Sequence, residues 1–179
     1  MGMVNSIYSA IFGGSDGDVV DPATGLTAKE KEAIRSSWAL LASKKALRTN
    51  GVEFFVMLFT EYPEMQNFFS AFKGMDAATL RKDRTMYSHS LTVMYSFASL
   101  VDNLDDADQL ALLVQKIAHN HVARDVGFKY FEQLAAMFPK FLDARAGSNA
   151  TPFIKQSWSK LLGVMNSLVK AEEERQKNT

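Results

Sequence analysis

The sequence predicts an all-α fold in a single domain. Apolar side chains recur every three or four residues along most of the chain, and helix-start signals precede several of these runs. No stretch alternates apolar and polar residues in the way a half-buried strand would. With 179 residues, 47% of them hydrophobic and 22% charged, the chain can bury a substantial core, which excludes disorder for most of it.

The N-terminal residues 1–26 are rich in turn-forming residues such as Gly13 and Gly14. They are predicted to form a flexible N-terminal extension, followed by a folded domain over residues 27–177. The first residues also fit the short pattern for N-myristoylation at Gly2. Because a single acyl chain binds membranes only marginally, such a lipid would give weak membrane association, and the alternative is an unmodified cytoplasmic extension.

The first two helices are marked by signals at their ends. Thr27 and Glu30 have the spacing of a capping box, in which each side chain binds the other residue's backbone amide. The second helix is predicted to end before Pro63 and a short helix to begin there, because proline is tolerated only in the first turn of a helix. The apolar residues at helical spacing in the first two helices are Ile34, Trp38, Leu41, Val52, Phe55, Val56, Phe59 and Tyr62.

Two amphipathic helices are predicted in the middle of the chain, separated by an acidic break over residues 103–108. Aspartates in this break are well placed to cap the second of these helices. The inward stripe of the first helix carries Met86, His89, Val93, Phe97 and Leu100, and that of the second carries Leu110, Leu113, Val114, Ile117 and His121.

Two longer helices complete the chain. The first contains Pro139, which removes one helical hydrogen bond and is predicted to kink it. After a loop over residues 147–149, Thr151 and Pro152 supply the N-cap and the first residue of the last helix. This helix is predicted to fray into the charged segment 172–175, which we interpret as a solvated face.

Charge and residue types restrict the classes of function. The 20 basic and 20 acidic residues give a formal net charge of zero, so we expect no nucleic-acid partner, which would favour a basic domain. The absence of cysteine excludes disulfides, thiolate metal sites and iron–sulfur clusters. The longest apolar run, residues 54–59, is far shorter than the roughly 20 residues needed to cross a bilayer. No basic residue precedes Lys29 to form a secretory signal, so a cytoplasmic location is expected.

Three histidines, His89, His119 and His121, are the main candidate metal ligands. Each helical residue turns by about 100°, so His121 lies about 40° from Ile117 and faces the same apolar side. His119 lies about 200° from both and is expected to face solvent. His89 lies about 40° from Val93 on its own helix, so two histidines from different helices point inward.

Two inward histidines allow several interpretations. A buried imidazole is costly unless a partner satisfies it, and a single histidine on an apolar face is commonly a hydrogen-bonded core residue. A zinc site normally requires three or four protein ligands, and no carboxylate is spaced as a partner on either stripe. An iron held in a planar macrocycle needs only one protein ligand and leaves its other face free for a gas. The pair of histidines therefore favours haem.

From about Leu26 to Lys177, the chain resembles a globin. The residues that carry this resemblance are, in order, Trp38, Pro63, Phe69, Phe72, His89 with Val93, Ile117 with His121, and Trp158. The resemblance implies a globin fold, in which about seven to eight helices pack around a haem pocket. It also implies haem b (Fe-protoporphyrin IX) as the cofactor.

The globin resemblance implies a role for each pocket residue. His121 is expected to be the proximal iron ligand, with its other ring N–H directed to a backbone carbonyl about one turn back. His89 is expected to be the distal histidine, which donates a hydrogen bond to O2 or itself binds the iron as a sixth ligand. Arg124 is a candidate partner for a haem propionate. The expected apolar haem contacts are Phe69, Phe72, Val93, Ile117 and Val126, and the expected ligand cavity is lined by Phe55, Phe69, His89 and Val93.

Two functions follow from this resemblance. The first is reversible binding of O2, and also of CO or NO, for oxygen storage, transport, local supply or sensing. The alternative is redox activity as an NO dioxygenase, nitrite reductase or peroxidase, which requires an external reductase as a partner. A haem-free helical interaction module is a third interpretation, and the helix faces would also support a homodimer.

Overall fold

The computed structural model describes residues 19–178, except for the side chains of Lys44 and Lys45. This part of the chain is helical apart from its connections, and its one β-bridge joins Val20 to Thr27. The predicted all-α class is therefore confirmed. The α-helices are α1 (Ala28–Leu41), α2 (Lys44–Glu61), α3 (Ala77–Leu80), α4 (Arg84–Asp102), α5 (Ala107–Val122), α6 (Phe128–Ala146) and α7 (Pro152–Lys177), with short 3₁₀ helices at Pro63–Phe68 and Gly147–Asn149.

Side-chain caps start the helices where the sequence predicts them. The amide of Thr27 donates to the carboxylate of Glu30 over 2.8 Å, and the amide of Glu30 donates to the hydroxyl of Thr27 over 3.2 Å. Asp106 and Thr151 each accept a hydrogen bond from the amide three residues further on, at the starts of α5 and α7. These bonds satisfy amides that have no partner inside the helix. The three predicted caps are confirmed.

Prolines and glycines set the helix ends, with one difference from the prediction. α2 ends at Glu61, and Pro63 opens the following 3₁₀ helix, as predicted. α6 continues through Pro139 to its end, so the kink there stays a prediction. Residues 147–149 form a 3₁₀ turn instead of the predicted loop: Gly147 has a φ of 55°, which ends α6, and its carbonyl accepts a hydrogen bond from Ala150.

The last helix, α7, is central to the domain, because α1, α5 and α6 all pack against it. The indole of Trp158 on α7 is fully buried and donates a hydrogen bond of 2.9 Å to the Ser37 hydroxyl on α1. An aromatic cluster extends from Trp158 through the core. Its other rings are Trp38, Phe54, Phe97, Phe138 and Phe141.

The segment before α1 packs onto the domain. Thr24 and Leu26 are fully buried, and the ammonium of Lys31 lies 2.7 Å from the Asp21 carboxylate and 3.3 Å from that of Asp105. The packed domain therefore begins several residues before Thr27, within the predicted extension, because Leu26 offers an apolar side chain to the core. The predicted acylation site at Gly2 lies outside the described residues.

The end of α7 differs from the predicted frayed and solvated segment. The helix stays regular to Lys177, and Glu172 is only 9% exposed. Both Glu172 and Glu173 bind groups on the α5–α6 part of the chain, far away in sequence. The predicted fraying was wrong, and so was the predicted solvation of Glu172 and Glu173, because the prediction considered charge along the helix and not the elements packed beside it; Glu174 and Arg175 are exposed, as predicted. None of the helices in residues 19–178 is long and apolar enough to cross a membrane.

Candidate cofactor and ligand pocket

A largely apolar cavity of about 450 Å³ lies between α2, α4, α5, α6 and α7. His89 reaches it from α4 and His121 reaches it from α5, so the two histidines predicted to point inward share one cavity. The other predicted pocket residues that line it are Phe55, Phe69, Val93, Ile117 and Val126.

The ring of His121 is held by a backbone hydrogen bond. Its Nδ1 lies 2.8 Å from the carbonyl oxygen of Ile117, one turn back on α5. Because a carbonyl oxygen only accepts hydrogen bonds, Nδ1 carries the proton and Nε2 of the neutral ring carries a lone pair. This geometry gives a ring that lines the cavity with a fixed tautomer and a nitrogen suited to bind a metal.

The chain after His121 is tied back to the same residue. The carbonyl of His121 accepts a hydrogen bond of 3.0 Å from the amide of Val126, and Val122 accepts one from Asp125. Asp125 adopts a left-handed φ of 62°, so this turn has the hydrogen bonds and the backbone conformation of a Schellman cap. The cap carries Val126 back to the cavity wall.

His89 lies among aromatic rings. Its ring centroid is 5.0 Å from that of Phe55 and 5.1 Å from that of Phe69, and the side chain is half-buried. Burial lowers the pKa of His89, and the nearby His121 lowers it further. The ring is therefore neutral at neutral pH, with one nitrogen that donates and one that accepts.

This set of side chains fits the predicted haem. One imidazole has its N–H anchored and its other nitrogen free to coordinate, a second neutral imidazole lines the same cavity, and the rest of the wall is mostly apolar. An iron in a macrocycle needs only that single protein ligand. Arg124 also lines the cavity and donates to the carbonyl of Asn120, so its predicted contact with a propionate stays a prediction.

Phe72 differs from the other predicted pocket residues. It is not among the side chains that line the cavity, and it is 2% exposed. Its ring stacks on that of Phe69 at 5.8 Å between centroids and lies 6.2 Å from that of His89. Phe72 therefore packs against Phe69 and His89 without lining the cavity, whereas the sequence predicted a direct contact between Phe72 and the cofactor.

The sequence reasoning missed five aromatic side chains of the cavity wall, which are Phe54, Phe68, Phe97, Tyr130 and Phe131. Phe131 packs edge-on against His121, and Phe68 packs edge-on against Tyr130 at 4.6 Å between ring centroids. Phe131 recurs at helical spacing with Leu134 and Phe138 along α6, but periodicity alone does not tell which part of an apolar face lines a cavity. Phe68 and Tyr130 belong to different elements, and no sequence signal pairs them.

His119 lies on the solvent side of α5, as the helical arithmetic predicts. Its side chain is 60% exposed and does not line the cavity. It is not isolated, however, because its Nδ1 lies 3.0 Å from the carboxylate of Glu172 on α7. The last helical turn of α5 thus presents one histidine to the cavity and one to α7.

Comparison with known proteins identifies the family. The sequence model of the globin family matches residues 52–169, which include both cavity histidines. The chain is 32% identical to a globin of Tritia mutabilis over 142 residues (79% of this chain, 97% of that one) and 31% identical to a globin of Nerita albicilla over 156 residues (87% and 98%). The crystal structure of ferric Aplysia limacina myoglobin superposes with a TM-score of 0.74 at 29% identity, covering 82% of this chain and 98% of that protein. The chain belongs to the globin family.

Proposed function

We propose that this globin holds haem b through His121 and reversibly binds O2 and other small gases on the His89 side of the cavity. The observation that carries the proposal is the hydrogen bond from His121 Nδ1 to the Ile117 carbonyl, in the same cavity as a second, neutral imidazole. The haem iron supplies the coordination bond to the gas. The protein supplies the axial ligand, the hydrogen bond and an apolar enclosure.

His121 acts as the axial ligand through Nε2. The acceptor at Ile117 holds the ring in the tautomer whose Nε2 carries the lone pair. Phe131 packs against one edge of the ring and restricts its rotation. The ligand is thus oriented before haem enters.

His89 acts on the gas ligand. A neutral imidazole donates from one nitrogen, and burial among Phe55 and Phe69 keeps water from competing for that hydrogen bond. In the gas-free state, the same ring would hold the iron as a sixth ligand if it moved to that position. An optical spectrum of the ferrous protein distinguishes these states, because sharp split visible bands indicate the His89 ligand and a single broad band indicates an open site.

A solved relative supports small ligands as the class bound. Ferric Aplysia limacina myoglobin binds azide, and its structure superposes on this chain with a TM-score of 0.73 at 28% identity. We extend this to O2, CO and NO, which are small ligands like azide. Oxygen storage or local supply is the role we propose for this binding.

Substitution of the axial ligand tests the proposal. His121→Ala is expected to abolish stoichiometric haem uptake, read as the Soret absorbance after haem titration, because it removes the imidazole whose Nδ1 is anchored at Ile117 and whose Nε2 would hold the iron. Gln115→Ala is the control: it changes an exposed residue of the same helix that does not line the cavity, and it is expected to retain the absorbance. An unchanged Soret band in His121→Ala contradicts the proposal.

Turnover distinguishes binding from redox catalysis. The O2-bound protein is exposed to excess NO in the presence of an external reductase, and NO consumption is followed over time. Reversible binding predicts that consumption stops after one equivalent of NO per haem. Sustained consumption would overturn storage as the main role.

A further inference from the structure

The end of α7 contacts the chain on both sides of His121. Glu172 binds His119, two residues before the cavity histidine, and Glu173 binds the first residue of α6, shortly after it. These are adjacent residues on one helix. Their carboxylates therefore span the part of the chain that carries His121.

Glu172 is largely buried and accepts several hydrogen bonds. Its Oε1 lies 3.0 Å from Nδ1 of His119 and accepts from Gln176 over 2.6 Å. Arg175 donates to both carboxylate oxygens, over 2.8 Å and 2.7 Å. Arg175 and Gln176 hold the Glu172 carboxylate in place, and only 10% of the Glu172 side chain is exposed. The carboxylate that binds His119 therefore has a fixed position.

Glu173 is attached to the start of α6. It accepts a hydrogen bond of 2.7 Å from the amide of Phe128, a group that has no partner within its own helix. Lys177 donates to the other oxygen over 2.6 Å. The approach is close enough that a β-carbon at Gly127 would lie 2.5 Å from the carboxylate oxygen, so glycine is required there for this contact.

The segment between the two attachments is stiff. The Val126 amide binds the carbonyl of His121, and the left-handed Asp125 closes the turn between them. A displacement of Val126 would therefore also displace the backbone of His121. α5 also packs extensively against α7. The two carboxylates therefore add polar contacts to two helices that are already packed together.

We propose that Glu172 and Glu173 are positioning residues for His121, which hold the last turn of α5 and the following corner so that the imidazole keeps its place in the cavity. This inference rests on the proposed role of His121 as the iron ligand. The two carboxylates do not line the cavity and so act only through the residues they bind.

Charge-neutral variants of the two glutamates test the proposal in the full chain. Glu172→Gln and Glu173→Gln keep the helix and the side-chain size, and the exposed neighbour Glu174→Gln is the matched control. In the haem-free protein, amide hydrogen exchange over residues 119–128 is expected to be about fivefold to tenfold faster in the first two variants, because the neutral amide oxygen of glutamine accepts a weaker hydrogen bond than a carboxylate does. In the haem-loaded ferrous protein, haem transfer to an acceptor protein is expected to accelerate by about the same factor.

A spectroscopic measurement distinguishes positioning from general stability. The iron–histidine stretching band in the resonance Raman spectrum of the ferrous protein is expected to shift or broaden in Glu172→Gln and Glu173→Gln, and to stay unchanged in Glu174→Gln. Gly127→Ala gives an independent check, because its β-carbon displaces the Glu173 carboxylate without removing a charge. It is expected to reproduce the effects of Glu173→Gln.

Two results would overturn the inference. One is that both glutamine variants match Glu174→Gln in exchange and haem transfer. The other is that exchange accelerates equally in all helices while the iron–histidine band stays unchanged, which would indicate only a contribution to overall stability. Failure of the proposed function has a different signature, since His121→Ala would then retain its haem absorbance whatever the glutamate variants do.

Discussion

The ring of Phe131 on α6 meets the ring of His121 on α5 edge to face, with centroids 5.3 Å apart and planes at 77°. The hydrogen bond from Nδ1 to Ile117 fixes one edge of the imidazole, and Phe131 restricts rotation about the remaining torsion. Phe131 is itself 8% exposed and packed, so it has little freedom to move away. The orientation of the His121 ring therefore depends on two different helices.

Replacing Phe131 with leucine is expected to accelerate haem dissociation by about fivefold. The substitution keeps an apolar side chain but removes the edge-to-face ring contact, and such contacts contribute about 1 kcal/mol. Haem transfer to an acceptor protein, followed by absorbance, measures the rate. Phe153→Leu, at an exposed phenylalanine near the start of α7, is the control and is expected to match the wild type. Equal rates for both variants would show that Phe131 does not hold the ligand.

Replacing His89 with leucine is expected to accelerate O2 release by about tenfold and to speed autoxidation. One hydrogen bond from a neutral imidazole contributes on the order of 1 kcal/mol or somewhat more where water is excluded. Displacement of O2 by CO in a stopped-flow instrument measures the release rate. His89→Gln keeps an N–H donor at this position and is expected to give an intermediate rate. If leucine leaves O2 release unchanged, the hydrogen-bonding role of His89 is wrong.

Sequence signals that span only a few residues, such as helix caps and helical spacing, predicted most of the fold. A cap depends on a side chain and an amide three residues apart, so the roles of Thr27, Asp106 and Thr151 could be recognised from the sequence. The turn of about 100° per residue likewise placed His89 and His121 on inward faces. Both line the cavity, as predicted.

Contacts between distant segments could not be predicted in this way. Glu172 and Glu173 have the sequence pattern of a solvated helix end, but their partners His119 and Phe128 lie 53 and 45 positions away. The displacement of Phe72 behind the cavity wall has the same origin. A phenylalanine that follows a 3₁₀ helix has no periodicity to fix its direction, and the packing of neighbouring rings decides it.

Alanine and glycine at position 125 are expected to differ in their effect on stability. Its φ of 62° is strained for most side chains, tolerated by aspartate and free of strain for glycine. Asp125→Ala is therefore expected to lower the free energy of unfolding by about 1 kcal/mol, and Asp125→Gly to leave it unchanged or raise it. The midpoint of thermal unfolding, followed by circular dichroism, is expected to fall by about 2–4 °C in the alanine variant. A lower midpoint in the glycine variant than in the alanine variant would contradict this account of the cap.

The Glu30 carboxylate is expected to stabilise the domain in a pH-dependent way, because it links the cap of α1 to Lys160 on α7. Burial alone would raise the pKa of Glu30, but the hydrogen bonds from Lys160 and from the amide and hydroxyl of Thr27 outweigh it and place the pKa below the ordinary value of 4.5. Its protonation is therefore harder in the folded than in the unfolded chain. The contribution is fully present above about pH 4.5 and is lost as the pH falls through the folded-state pKa.

Glu30→Gln keeps an acceptor for the Thr27 amide but removes the charge that faces Lys160 and the start of α1, so it is expected to lower the thermal midpoint by about 2–4 °C at pH 7, which corresponds to about 1 kcal/mol. The difference from the wild type should shrink as the pH falls below about 4.5, since the wild-type carboxylate is then progressively neutralised. Midpoints measured at a series of pH values test this, with the exposed Glu32→Gln on the same helix as the control. A difference that stays constant from neutral to acidic pH would mean that the shape of the side chain, and not its charge, joins α1 to α7.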